Sequence, residues 1–530
     1  MTSTITLVLG LLVVTVVFAS IATRLHIPYA ILLVVAGALL GLIPGLPAVN
    51  LSPDIVLFLF LPPLIYSSAW LTSWREFRAN LRPILLLSIG LVLVTMLFVA
   101  LVVHYLLNLP WAVGFVLGAI LGPTDAVAAT AIAQRMGLAR RVMAILEGES
   151  LINDATALVA YTFAVNAVVT GNFQLSMAAL QFVLVALGGL LIGLIVAWPI
   201  SWLHSRLDDA PIEITITLLT PFAAYLLAEV AHVSGVLAAL AAGLYLSRRS
   251  PRFFSSDTRL QANAVWNVLI FILNGLLFLL IGLQLRQAFN TTGTHSIFVV
   301  IADILLVSLA VIIIRLAWVF AETYIPRRLS RRFRTLDPYP DWRNVVILGW
   351  TGLRGSVSLA SVLALPLLAQ NNTPFPEREL LISITFGVIL VTLVGQGLSL
   401  IPLIRILKPG GEESLADEQQ HAQQVMLKAA LRRLQEVSDR DWVSENQLAH
   451  LRSRYEAQLR NLHSQQDETT SEQPANGANH LRLLNEVIRA KRNALIHLRD
   501  TGQLDDTIFR GIEHTLDLEE QRFLAEERIL

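Results

Sequence analysis

Two carboxylates, a hydroxyl and an amide fall within the stretch Gly148-Glu149-Ser150-Leu151-Ile152-Asn153-Asp154, inside what otherwise reads as a membrane-spanning helix. Val142–Leu146 before it and Ala155–Tyr161 after it are mostly apolar, so flanking loops do not explain the charges. An ionisable group at membrane depth costs about 2.5–3.5 kcal/mol on insertion scales and is a functional candidate by default. Ser150, Asn153 and Asp154 stand at i, i+3 and i+4 and are expected on one helical face. A hydroxyl, an amide carbonyl and a carboxylate make an oxygen set that suits a small hard cation. The competing reading is polar glue between helices. Glu147, nearer the helix start, is expected to be solvated.

Two further stretches put chemistry at membrane depth. Gly122-Pro123-Thr124-Asp125 interrupts one apolar run. Proline removes a backbone donor and glycine weakens the helix, so the chain should unwind there and free carbonyls for an ion. Thr124 offers a hydroxyl or that freed carbonyl, and Asp125 a second carboxylate. Gly349–Ser358, containing Gly352-Leu353-Arg354-Gly355-Ser356, interrupts a second run. Paired broken helices in corresponding halves are a sequence pointer to a transporter site, and spans one to six and eight to thirteen would be inverted copies. A buried guanidinium needs an acid. Arg315, alone in Val311–Trp318, is paired here with Glu149; Arg354 is the alternative partner. Elsewhere, Pro62-Pro63 marks a kink in span three, Trp70 and Trp74 read as interfacial anchors, and Glu213 could draw cations to an entrance.

Positioning these residues requires a membrane scaffold. The 530 residues are 55% hydrophobic and 15% charged, with mean hydropathy +0.63; a soluble domain averages about 25% charged. Thirteen apolar spans are read at about 4–23, 28–46, 53–71, 84–107, 111–135, 142–168, 178–203, 212–232, 234–247, 263–283, 297–321, 344–370 and 379–407, the tenth interrupted by Asn274-Gly275. The first has no positively charged segment before it and reads as a retained helix. Arginines cluster after spans three (Arg75, Arg78, Arg82), five (Arg135, Arg140, Arg141), seven (Arg206), nine (Arg248, Arg249, Arg252) and eleven (Arg327, Arg328, Arg331, Arg332, Arg334). Alternate loops such as Thr170–Gln174 are nearly free of them, which orients the N-terminus outside and the C-terminal tail in the cytoplasm. The absence of cysteine excludes disulfides and thiolate metal sites.

After Pro409-Gly410-Gly411 the composition changes. Residues 1–410 read as the transmembrane domain and 411–530 as a cytoplasmic helical tail. In the tail, 414–465 and 481–527 are charged amphipathic helices around a polar, disordered stretch near 464–480. The tail is either a solubilising or dimer-stabilising appendage or a regulator.

Together these residues resemble the monovalent cation:proton antiporter family, which includes NhaP-type bacterial sodium/proton antiporters and animal sodium/proton exchangers. The resemblance covers about residues 10–407 and rests on Gly148–Ala155 with its Asn153-Asp154 pair, Pro123–Asp125, Gly352–Ser356 and His232–Ala238. It implies an all-α polytopic membrane protein, a homodimer of thirteen-span subunits with two crossed broken helices. In each subunit a six-helix core moves against a dimerisation scaffold. It implies that Asp154 carries the cation or proton, that Ser150, Thr124 and Asp125 complete the cation site with Asn153 beside it, and that Glu149 forms a core salt bridge with Arg315 or Arg354. Asn153 in place of a second acid resembles the electroneutral branch. Ser67 stands where many relatives carry a carboxylate, which leaves ion choice open.

The expected activity is secondary antiport of a monovalent cation, sodium first, for protons across the cell (inner) membrane, with pH homeostasis as its setting. The mechanism is competition at one carboxylate: a cation or a proton neutralises Asp154, and the empty charged form crosses poorly. Potassium/proton exchange, an ion sensor signalling through its tail, and a passive channel are the alternatives. No enzyme activity, cofactor or nucleic-acid partner is expected; the partners are sodium ions, protons and membrane lipid.

Overall fold

The computed structural model describes residues 2–25, 28–41, 43, 53–136, 138–171, 175–290, 296–330, 335, 337, 339–369, 373–408, 414–440, 443–464 and 478–527. The chain is helical, and each of the thirteen segments read from the sequence contains a helix. They are α1 (Thr2–Leu25), α2 (Tyr29–Gly41), α3 (Pro53–Leu71), the short α4 (Trp74–Ala79), α5 (Leu81–Leu106), α6 (Trp111–Ile120) and α7 (Ala126–Arg135). There follow α8 (Arg140–Thr170), α9 (Leu175–His204), α10 (Ala210–Val230), α11 (Gly235–Phe253), α12 (Ser256–Asn290), α13 (Ile297–Leu329), α14 (Trp342–Trp350), α15 (Ser356–Leu363) and α16 (Arg378–Leu407). Seven helices among the described residues are long and apolar enough to cross a membrane, and four shorter ones are apolar. The chain is an integral membrane protein.

The helices sort into two bundles. In the first, α2 packs along α12, and α3, α9 and α10 surround α11. In the second, α5 packs on α6 and α13, α6 on α8, and α13 on α14 and α16. Helix α12 runs unbroken past Asn274-Gly275, a correction to the interruption read there. Gly275 lies against Thr15 and Leu33, so the missing side chain admits neighbouring helices rather than ending this one. The same logic sets the α2–α12 crossing: a Cβ on Gly282 would lie 2.7 Å from the Cα of Gly37.

Both interruptions at Gly122–Asp125 and Thr351–Gly355 are real breaks between half-helices. They touch: the Asp125 N–H donates to the Leu353 carbonyl at 2.8 Å, and a Cβ on Gly355 would collide with the Asp125 carboxylate. Two π-helical turns flank the crossing, Leu86–Leu91 in α5 and Val391–Gln396 in α16. The first leaves the Leu86 carbonyl to accept from Trp318 Nε1 at 3.0 Å; the second contains Thr392, whose hydroxyl accepts from the Arg354 N–H at 3.2 Å. A π turn displaces backbone groups from their usual partners, and here side chains and loops take them up.

The C-terminal residues form four helices where two were read: α17 (Ser414–Glu436), α18 (Glu445–Ser464), α19 (Ala478–Asp500) and α20 (Asp506–Glu527). Gly502, at φ +72°, ends α19, and Asp505 starts α20 by accepting from the Thr507 N–H at 2.7 Å. Apolar stripes close one core around Leu434, Tyr455 and Val487 and another around Leu495, Phe509 and Leu516. Most of the stretch expected to be disordered, and the Arg331, Arg332 and Arg334 cluster, lie outside the described residues.

The assembly docks on the first bundle through Arg259, which holds Asp517 bidentately at 2.7 and 2.8 Å. Replacing Gly282 by leucine is expected to overpack the α2–α12 crossing by about 1–3 kcal/mol. The melting point of the detergent-purified protein should fall by several degrees, whereas Gly10→Leu, which meets nothing within 4 Å, should leave it in place.

Candidate cation site

A cavity of about 860 Å³ opens between the bundles and reaches the crossing of the broken helices. Thr124, Asp125, Ser150 and Asp154 line it from the second bundle, together with Ser356 and Ser358. Tyr29, Ser67, Ser68 and Asn274 line it from the first.

The acids have different surroundings. Asp125 sits where the N-termini of α7 and α15 converge: its carboxylate accepts from the Val127 N–H at 2.8 Å and from the Ser356 N–H. Helix N-termini favour negative charge, so two half-helices partly answer this acid. Asp154 lies within electrostatic reach of Asp125, and among the described residues none donates a hydrogen bond to it. Ser150 Oγ accepts from the Ala126 N–H at 3.4 Å and keeps its place on the cavity wall. Asp154, Asp125 and Ser150 thus bring two carboxylates and a hydroxyl to one cavity beside the unwound turn, an oxygen set of the kind that suits a hard cation.

Glu149 faces the other way and is fully buried. Its partner is Arg315, whose two terminal nitrogens meet the two carboxylate oxygens, the second at 3.0 Å. The Thr124 hydroxyl donates to the same carboxylate at 2.9 Å and accepts from the Asn153 amide at 2.8 Å. This overturns one expectation and narrows another. Asn153 does not share the cavity face with Ser150 and Asp154. It lies four residues from Glu149 and follows it to the Arg315 side, where Thr124 captures its amide. The Thr124 hydroxyl is likewise committed to this network, so what it can offer a cation is its carbonyl.

Arg354 does not pair with Glu149. It is buried in the crossing, where Nη1 donates to the Pro123 carbonyl at 3.3 Å. Its charge there offsets the carbonyl ends and acids around the break.

Other readings change with the structure. Glu213 is enclosed, with His204 Nδ1 at 3.3 Å and the Thr258 hydroxyl at 3.3 Å, and faces no entrance. Glu147 is half-buried and lines the cavity, because α8 begins at Arg140, two turns before it. Tyr29 and Asn274 were not read as site residues. The signal for Asn274 was present, since an amide in a span with no loop nearby needs a polar surface to face.

The family model described as "Sodium/hydrogen exchanger, transmembrane" matches residues 10–406. An uncharacterized Na⁺/H⁺ exchanger of Mycobacterium tuberculosis is 36% identical over 98% of this chain and 97% of its own. The chain belongs to the sodium/hydrogen exchanger family. A sodium, potassium, lithium and rubidium/H⁺ antiporter of Bacillus pumilus is 35% identical over 82% of this chain and 66% of its own. In three dimensions, this exchanger-family chain is similar to the sodium proton antiporter MjNhaP1 of Methanocaldococcus jannaschii, with a TM-score of 0.60 at 22% identity over 78% of this chain and 100% of that one.

Removing one member of a buried ion pair leaves the other uncompensated, at about 3–5 kcal/mol. Glu149→Ala should therefore lower the melting point of the purified protein sharply, and more than Asp154→Asn does. Equal melting points for the two would remove Glu149 from its structural role.

Proposed function

We propose that this protein exchanges a monovalent cation, sodium first, for protons by alternating access, one charge for one charge, with Asp154 as the shared carrier. The observation that carries the reading is the contrast on one helix. Glu149 has a fixed cation in Arg315, whereas Asp154 faces the cavity and, among the described residues, forms no ion pair with a protein cation. A carboxylate at membrane depth needs a neutralising partner. A cation or a proton supplies it, and the two compete for the same oxygens. The empty, charged form is the one that crosses least readily, and this couples the two fluxes.

Asp125, Ser150 and the Thr124 carbonyl would complete the cation's oxygen shell, with Asn153 acting through Thr124. Ser67 and Ser68 add hydroxyls from the opposite bundle. This low negative charge suits a monovalent ion and leaves potassium as the alternative cargo, in keeping with the range of ions in the name of the Bacillus relative. Movement of the second bundle against the first would turn the site from one side to the other, the halves being inverted repeats.

The proposed topology has thirteen crossings, a reading supported by the alternation of arginine-rich loops. On this topology the N-terminus lies outside, residues 1–410 are the exchange domain in the cell membrane, and residues 411–530 lie in the cytoplasm. Exposed apolar side chains on α1 (Leu9, Val13, Val16) and α9 (Leu184, Leu187, Leu191) are surfaces for lipid or for the second subunit of a homodimer.

Asp154→Asn is expected to fold and to abolish exchange. The check is fluorescence dequenching in everted vesicles on addition of sodium, potassium or lithium, with reconstituted proteoliposomes as a second assay. Proton-coupled sodium flux by the variant would sink the carrier assignment.

A further inference from the structure

The cavity that ends at Asp154 begins beside the C-terminal helices. Thr507 and Arg510 of α20 line its mouth together with Glu76, Arg140 and Glu147. Glu147, Ser150 and Asp154 stand at i, i+3 and i+7 on α8 and all line the cavity, an oxygen ladder from mouth to carrier. Arg510 lies within electrostatic reach of Glu147, and its guanidinium donates to the Trp70 and Thr72 carbonyls at 3.4 and 3.2 Å.

Arg510 is held in place from both sides along one face of α20. Two residues at the helix start, Asp505 and Asp506, accept from the Ser73 hydroxyl at 3.1 and 3.3 Å, and Asp505 pairs with Arg140. Two turns beyond Arg510, Asp517 is clamped by Arg259. Burial alone would raise the Asp505 carboxyl, but Arg140 and the Thr507 and Ser73 donors hold it below the usual carboxylate range. An acid so depressed keeps its charge above its ordinary value of about 3.9 and loses the contact only as pH falls below that. The anchor therefore stays set at neutral pH.

We propose that Glu147 is a reception site for the cation on the cytoplasmic side of the path, and that Arg510, fixed on the wall of the same cavity, opposes an arriving cation there by its charge. This deepens the exchange reading and rests on it. Arg510 thereby sets how much cytoplasmic cation is needed to start a cycle, while Asp154 carries the ion across.

The test is the half-saturating sodium concentration in everted vesicles, which present the cytoplasmic face to the bath. Arg510→Gln should lower it about tenfold, equivalent to about 1.4 kcal/mol, and Arg510→Lys should return it toward the parent value. Glu147→Gln should raise it, and the double variant Glu147→Gln/Arg510→Gln should match Glu147→Gln alone. Glu147→Asp, which keeps the charge, covers a failure of the glutamine variant to fold. An equal drop on removing Arg510 with and without Glu147, or no change in half-saturation for Glu147→Gln, overturns the proposal. Exchange by Asp154→Asn would instead sink the carrier reading and leave this comparison of half-saturations standing.

Discussion

A carboxylate inside a membrane must be neutralised, and α8 carries three acids that meet this demand in three ways. Glu149 has Arg315 as a permanent partner. Glu147, at the cavity mouth, has Arg510 of the C-terminal helix within reach. Asp154 pairs with no protein cation among the described residues and faces the cavity. Burial of an unpaired acid is tolerable only if something mobile completes it, and that requirement ties the site to the activity. The crossing of the broken helices serves the same end. It brings two helix N-termini to Asp125 and the Arg354 charge to the freed Pro123 carbonyl, so that the unwound backbone is satisfied without closing the cavity.

Much of this was legible in the sequence, and the misses have physical causes. Charges in apolar runs marked the site helix, and Gly-Pro and Gly-rich interruptions marked the breaks, because a span gives such residues few other reasons to exist. The partner of Glu149 was not legible. Arg315 and Arg354 are both lone guanidiniums on spans, and only the three-dimensional crossing assigns one to the acid and the other to a carbonyl. Asn153 was misread because spacings of three and four both fall near one face. The Thr124 hydroxyl decides which way the amide turns. Asn274-Gly275 looked like a break. In place, the glycine admits neighbouring helices and the amide faces the cavity.

The C-terminal helices were the least legible part. Their charge pattern reads as solvated surface, yet Asp506, Arg510, Glu513 and Asp517 recur at helical spacing on one face of α20. That face meets Ser73, the cavity mouth and Arg259. An intramolecular docking surface and a solvated one have the same composition; what differs is whether each charge finds its complement on another element. Here the complements sit on both bundles, Arg140 in the second and Arg259 in the first, so the tail spans the seam along which alternating access would move them.

The central claim is that a cation and a proton compete for one acid on α8. Proton release from purified protein on sodium addition, measured in weakly buffered detergent solution at a pH where the empty carrier acid is protonated, tests it most directly. The account predicts close to one proton released for each sodium bound, and no release from Asp154→Asn. Sodium binding without proton release, or unchanged release from the Asp154 variant, would contradict it.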